Sequence, residues 1–142
     1  MANTHSATFH DVPVAGQVMS QSPARTAYGI LHFTFTVAPI VAGLDKFFHL
    51  LANWDMYLAP WIAGILPLSA HAFMMLVGAI EIIAGLIVAF RPKVGAWIVC
   101  AWLFGIIINL VTYPGFFDIA LRDLGLCLAA AALGVLSREW DR

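Results

Sequence analysis

Four stretches of this chain carry apolar side chains almost without interruption: residues 27–51, 70–90, 94–111 and 119–136. They run 25, 21, 18 and 18 residues. A helix crossing a hydrocarbon core of about 30 Å needs about 20 residues, with a range near 17–25. Each stretch therefore suffices for one crossing. Lipid offers no partner for a backbone N–H or C=O, so runs of this length should be helices. The pattern predicts an all-α integral membrane four-helix bundle.

The polar positions mark the joints. Arg91-Pro92-Lys93 separates the second and third runs, and Tyr113-Pro114-Gly115 the third and fourth. The longest joint, 52–69, holds Trp54, Tyr57, Pro60, Trp61 and Pro67. Aromatic side chains with polar tips favour the headgroup layer, so this joint reads as an interfacial segment with room for one short helix. Residues 1–24 are polar and broken by Pro13, Gly16 and Pro23, with neither the basic start nor the apolar centre of a secretory signal. The expected organisation is a retained flexible tail at 1–24, a membrane domain at 25–136 and a short tail at 137–142.

Composition agrees. Of 142 residues, 62% are hydrophobic and 11% charged, with a net charge of −1. Soluble domains carry roughly 25% charged residues. A disordered chain, a nucleic-acid binder and an ordinary cytosolic enzyme are excluded, and the first partner is the lipid bilayer. With four crossings, Arg25, Arg91, Lys93, Arg138 and Arg142 share one side, five of the seven cations. The positive-inside rule places that side, with both termini, in the cytoplasm.

Ionisable residues inside the spans are the candidates for function: Asp45, Lys46, Glu81, Arg122 and Asp123, with Asn109, His32, His49 and His71 as polar companions. Glu81 sits mid-span. A central charge costs about 2.5–3.5 kcal/mol on insertion, against roughly 3–6 kcal/mol from the ten Leu, Ile, Val and Phe residues of that span. The helix inserts, and the carboxyl should turn inward, paired or neutral.

At 100° per residue, Lys46 shares a face with His32, Pro39 and Gly43, and Glu81 with Met74, Gly78 and Gly85. Asn109 shares one with Gly95, Ile98, Trp102 and Gly105, and Asp123 with Cys127, Ala130 and Gly134. Small residues on these stripes let helices approach, so the stripes should face one another. The expected pocket opens toward the 52–69 joint, holds Lys46, Asn109, Arg122 and Asp123, and has Glu81 as its floor. Three roles fit such a cluster: ion pairs that fix helix register, a ligand or redox-partner pocket, and a proton or solute path.

Other signals are weaker. Asp45 and His49 share a helical face, but no further ligand follows at metal spacing, and no metal is expected. Cys100 and Cys127 give an axial separation of order 9 Å, beyond disulfide reach. The aromatics read mostly as lipid-facing or interfacial filler.

Three segments resemble the DoxX-like family of small four-span membrane proteins: Gly43-Leu44-Asp45-Lys46-Phe47, Gly78-Ala79-Ile80-Glu81-Ile82-Ile83-Ala84-Gly85, and Arg122-Asp123-Leu124 ahead of the small-residue run 129–132. The resemblance implies a bundle in a bacterial or archaeal cytoplasmic membrane and an accessory place in quinone- or thiol-linked redox systems. The cofactor would be a quinone and the partner a redox-enzyme subunit. The alternatives are a solute or proton transporter, or a scaffold without chemistry. Gly64 and Gly125, off the inward stripes, leave room for a homodimer face.

Overall fold

The computed structural model describes residues 22–140. The 1–21 part of the expected tail, with His5 and His10, lies outside the described residues, as do 141–142. Five α-helices make up the described chain: α1 (Pro23–Phe48), α2 (Pro60–Ile65), α3 (Ala70–Phe90), α4 (Pro92–Val111) and α5 (Phe117–Trp140), with a 3-10 turn at Trp54–Tyr57. Four of them, all but α2, are long and apolar enough to cross a membrane. The chain is a multi-pass membrane protein built as an all-α four-helix bundle, and the described residues contain no strand.

Helix ends follow capping chemistry. Pro23 occupies the first turn of α1, where its missing N–H costs nothing, and the Ser22 hydroxyl accepts from the Arg25 amide. The helix thus begins inside the stretch expected to be a tail. The Ser69 hydroxyl caps α3 in the same way through the Ala72 amide. The α5 helix outruns its apolar stretch at both ends, starting at Phe117 and continuing through Ser137 and Arg138 to Trp140. The Ser137 hydroxyl donates back to the Leu133 carbonyl and so meets its own hydrogen-bonding need inside the helix. The short α2 lies within the 52–69 joint and, at six residues, is far too short for a crossing.

Two close pairs form the bundle, α1 with α3 and α4 with α5, with looser contact between pairs. Glycine makes the first pair. A Cβ on Gly43 would stand 2.5 Å from the Gly78 carbonyl oxygen, and one on Gly78 would stand 2.6 Å from that of Gly43. Gly85 faces the Thr36 carbonyl in the same manner, at 2.8 Å. Backbone therefore touches backbone along the seam. In the second pair Gly134 receives the Trp97 indole, where a Cβ would come within 2.8 Å.

The inward stripes of α1, α3 and α5 are largely as expected: Gly43 and Lys46, then Met74, Gly78, Glu81 and Gly85, then Asp123, Cys127, Ala130 and Gly134 are all buried. On α4, Gly95 of the expected stripe is buried and Trp102, Gly105 and Asn109 face the cavity between the helix pairs; Ile98 alone departs and is exposed, while Ala96, Val99 and Leu110 are buried beside the stripe. The tight Arg91-Pro92 turn presses Gly95 onto the Val88 backbone, and this close contact sets the rotation of α4. Phe35, Ala84, Val88, Ala96, Val99, Ala130 and Leu133 form the main core. Leu58, Met74 and Val77 form a second cluster beneath the joint. Large apolar side chains point outward all round, such as Phe33 at 70% and Leu128 at 64% exposure, as a lipid-bathed bundle requires.

Candidate functional site

Between the two helix pairs lies a cavity of about 500 Å³. All five residues expected in a polar pocket line it: Lys46, Glu81, Asn109, Arg122 and Asp123. The rest of its wall is mostly apolar, with Trp54 and Trp102 the largest side chains. Thr34, Phe35, Ala84 and Val99 also line it, so it runs between one and two helical turns past Glu81. Glu81 is therefore on the wall, not at the floor.

The central contact is Lys46 Nζ donating to Glu81 Oε2 at 2.6 Å, with side-chain exposures of 5% and 10%. Lys46 stands two residues from the end of its helix and Glu81 eleven residues into its own, yet they meet. The reason is the glycine seam. It sets Gly78 against Gly43 and the Lys46 Cβ, so α3 projects about two turns beyond α1. Glu81 then lies only one turn below Lys46, within reach of its four-carbon stem. The ammonium also sits over the Trp54 ring, 3.8 Å from its centroid.

Asp45, adjacent in sequence, points elsewhere. Its carboxylate accepts from the amides of Leu50, Leu51 and Ala52 and from the Trp54 indole, the last at 2.7 Å. It closes the end of α1 and pins Trp54 over Lys46. Asp45 is therefore no partner for His49 in a metal site. Asn109 has a comparable duty: its side chain donates to the Tyr57 carbonyl at 2.7 Å and accepts from the Ala59 amide at 2.8 Å. That fastens the joint to α4 and uses both ends of the carboxamide.

Arg122 and Asp123 pair with each other at 3.1 Å, with Asp123 buried and the Arg122 side chain 63% exposed. His32 contacts the Val88 carbonyl at 3.0 Å, a half-buried bond between α1 and α3. The charges are thus divided into two ion pairs and one carboxylate held by N–H groups.

Trp102 is the functional candidate that sequence reading passed over as filler. Its indole N–H is buried and turned toward the Glu81 carboxylate, without reaching full hydrogen-bond geometry. A buried donor so loosely held remains available to a ligand that brings a better-placed acceptor. Its place on the Asn109 stripe was the available signal. Asp55 was also missed. It lies within 3.7 Å of both His49 and His71.

The cysteines require a correction. Their sulfur atoms are 3.3 Å apart, and Cys127 also donates to the Cys100 carbonyl at 3.3 Å. The expected separation assumed spans flush with both membrane faces. The turn between α4 and α5 sets the depth instead: Cys100 is eleven residues before the end of α4 and Cys127 ten residues after the start of α5. The two hairpin arms therefore place them level.

Together these features give a mainly apolar cleft with one buried ion pair, one loosely held indole donor beside it and a second ion pair on its wall. No family model, curated protein or solved structure matches the chain.

Proposed function

We propose that the cavity holds the headgroup of a quinone and that the protein is an accessory subunit of a quinone-linked redox system. The observation that carries this reading is the mainly apolar cavity into which the Lys46–Glu81 pair and the loosely held Trp102 N–H all face. A quinone headgroup is flat and apolar with carbonyl acceptors at its ends, which suits a cavity of this size class. Trp102 donates to one carbonyl. Lys46 and Glu81 form a proton-carrying couple beside it. The electrons come from a partner oxidoreductase, and this chain supplies position and protons. The resemblance to DoxX-like proteins supports the same assignment and, with the cation distribution, an inner-membrane setting with cytoplasmic termini.

Equilibrium binding of a short-chain ubiquinone analogue to the purified protein in detergent tests it. Saturable binding is expected, weakened about five- to tenfold in Trp102→Phe, which keeps the ring but lacks the donor. Glu81→Gln should retain binding but lose quinol-dependent activity in the intact membrane. Absence of saturable binding, or equal affinity in Trp102→Phe, overturns the reading. Proton or solute flux through liposomes that vanishes in Glu81→Gln would move the assignment to transport.

A further inference from the structure

Three side chains with good metal-binding donors converge at the joint end of the bundle. His49 comes from the end of α1, Asp55 from the 3-10 turn and His71 from the first turn of α3. One ligand atom from each lies within 4.8 Å of the other two. We propose that His49, Asp55 and His71 form a site for a divalent transition-metal ion of the zinc class, with a coordination position left open to solvent.

The unmade contacts point to an ion. His49 Nε2 and Asp55 Oδ1 are buried, and neither has a hydrogen-bond partner. They face each other at 3.7 Å, too far for a hydrogen bond. Zinc binds imidazole nitrogen at about 2.0–2.1 Å and carboxylate oxygen at about 2.0–2.2 Å, so neighbouring tetrahedral ligands stand about 3.3 Å apart. One ion between these two atoms would satisfy both after a small inward movement. His71 Nδ1 is 3.1 Å from the other Asp55 oxygen, and that hydrogen bond gives way when the ring turns to the metal. The imidazole rings are tilted by 42° with centroids 5.2 Å apart, so they are not locked in a face-to-face stack.

The surroundings hold the ligands in place. Asp55 follows Trp54, whose indole is bonded to Asp45, and precedes Tyr57, whose carbonyl is bonded to Asn109. The 3-10 turn is therefore fastened on both flanks of the carboxylate. His71 is about half exposed, which gives an ion its entry path. Two imidazoles and one carboxylate select zinc, iron or nickel over calcium or magnesium, which take oxygen-rich shells.

The test is zinc titration of the purified, tag-free full chain in detergent, with Co²⁺ absorption as a second readout. One ion per chain with a Kd on the order of 1 μM is expected. His71→Ala and Asp55→Asn should each weaken binding at least about tenfold and abolish the cobalt spectrum. The His5→Ala/His10→Ala double variant should bind as the parent does. His71 is exposed enough that its replacement tests the site even where Asp55→Asn fails to fold. Absence of stoichiometric binding by the folded parent overturns the proposal. So does full affinity in His71→Ala, or loss of binding in the His5→Ala/His10→Ala variant.

Discussion

Lys46 Nζ meets Glu81 Oε2 at 2.6 Å across the α1–α3 seam, in a place where both side chains are at least nine-tenths buried. Removing one member leaves an uncompensated charge out of water, which costs about 3–5 kcal/mol, whereas an apolar pair of similar size is close to neutral. Lys46→Met alone should therefore destabilise the detergent-solubilised protein by several kcal/mol. The double variant Lys46→Met/Glu81→Leu should recover most of it. Thermal or denaturant unfolding of the two single variants and the double variant measures this coupling. Additive effects would show that the pair does not act as one unit.

The glycine seam makes a second prediction, one that separates glycines by position. Gly43→Ala or Gly78→Ala must push a methyl to within 2.6 Å of a carbonyl oxygen on the facing helix. The helices then separate, at a cost of about 1–3 kcal/mol. Gly29 and Gly125 have open space where a Cβ would go. Alanine there should be neutral or stabilise the helix by up to about 1 kcal/mol. Melting curves of the four variants decide the matter. Moving α1 outward should also break the Lys46–Glu81 contact, so the two seam variants should weaken quinone binding in addition.

Asn109 ties the joint to α4 through two hydrogen bonds with backbone groups of Tyr57 and Ala59. Asn109→Leu leaves the Ala59 amide without its acceptor in a residue that is fully buried. A loss of about 1–3 kcal/mol is expected, with the damage concentrated in the joint. Hydrogen exchange should rise across 53–59 and little along α5. Uniform acceleration over the whole chain would contradict this local role.

The fold and the polar set were legible because both depend on patterns with a fixed period. Four apolar runs of crossing length dictate four helices, and Glu81 at the centre of one of them must face inward. Axial offset was not legible. It depends on which glycine meets which, and nothing in the 3.6-residue period sets Gly78 opposite Gly43 rather than one turn away. The cysteine separation failed for the same reason, since the α4–α5 turn sets their depth. Trp102 and Asp55 were missed because their importance lies in which side chains the fold brings beside them, Glu81 for one and His49 and His71 for the other, and a sequence does not record that neighbourhood.

The level placement of Cys100 and Cys127 has a direct consequence. Their sulfurs, 3.3 Å apart, need to approach by a little over 1 Å to reach the disulfide length of about 2.05 Å. Treatment of the purified protein with a membrane-permeant oxidant should give an intramolecular disulfide, seen as loss of maleimide labelling that dithiothreitol restores. Cys100→Ser should abolish the oxidised form without forming dimers. Persistent labelling of both thiols after oxidation would show that the two hairpin arms do not hold the cysteines level.

His49 offers a test in which stability and binding should move in opposite directions. It is the one non-glycine among the described residues with a positive φ, at 52° and ψ 40°, closing α1 in the left-handed region. A side chain there costs of order 1 kcal/mol, and glycine is the usual residue at such a helix end. His49→Gly should therefore leave the fold as stable or more stable by about 0.5–1 kcal/mol, provided the relieved strain exceeds the lost contact with the His71 ring. If His49 is kept for an ion, the same variant should lose zinc affinity at least about tenfold. Unfolding curves and zinc titration on one preparation give both numbers. A more stable variant that no longer binds zinc would identify His49 as a strained residue held for its imidazole. Unchanged affinity would leave Asp55 and His71 as the ligands and remove His49 from the site.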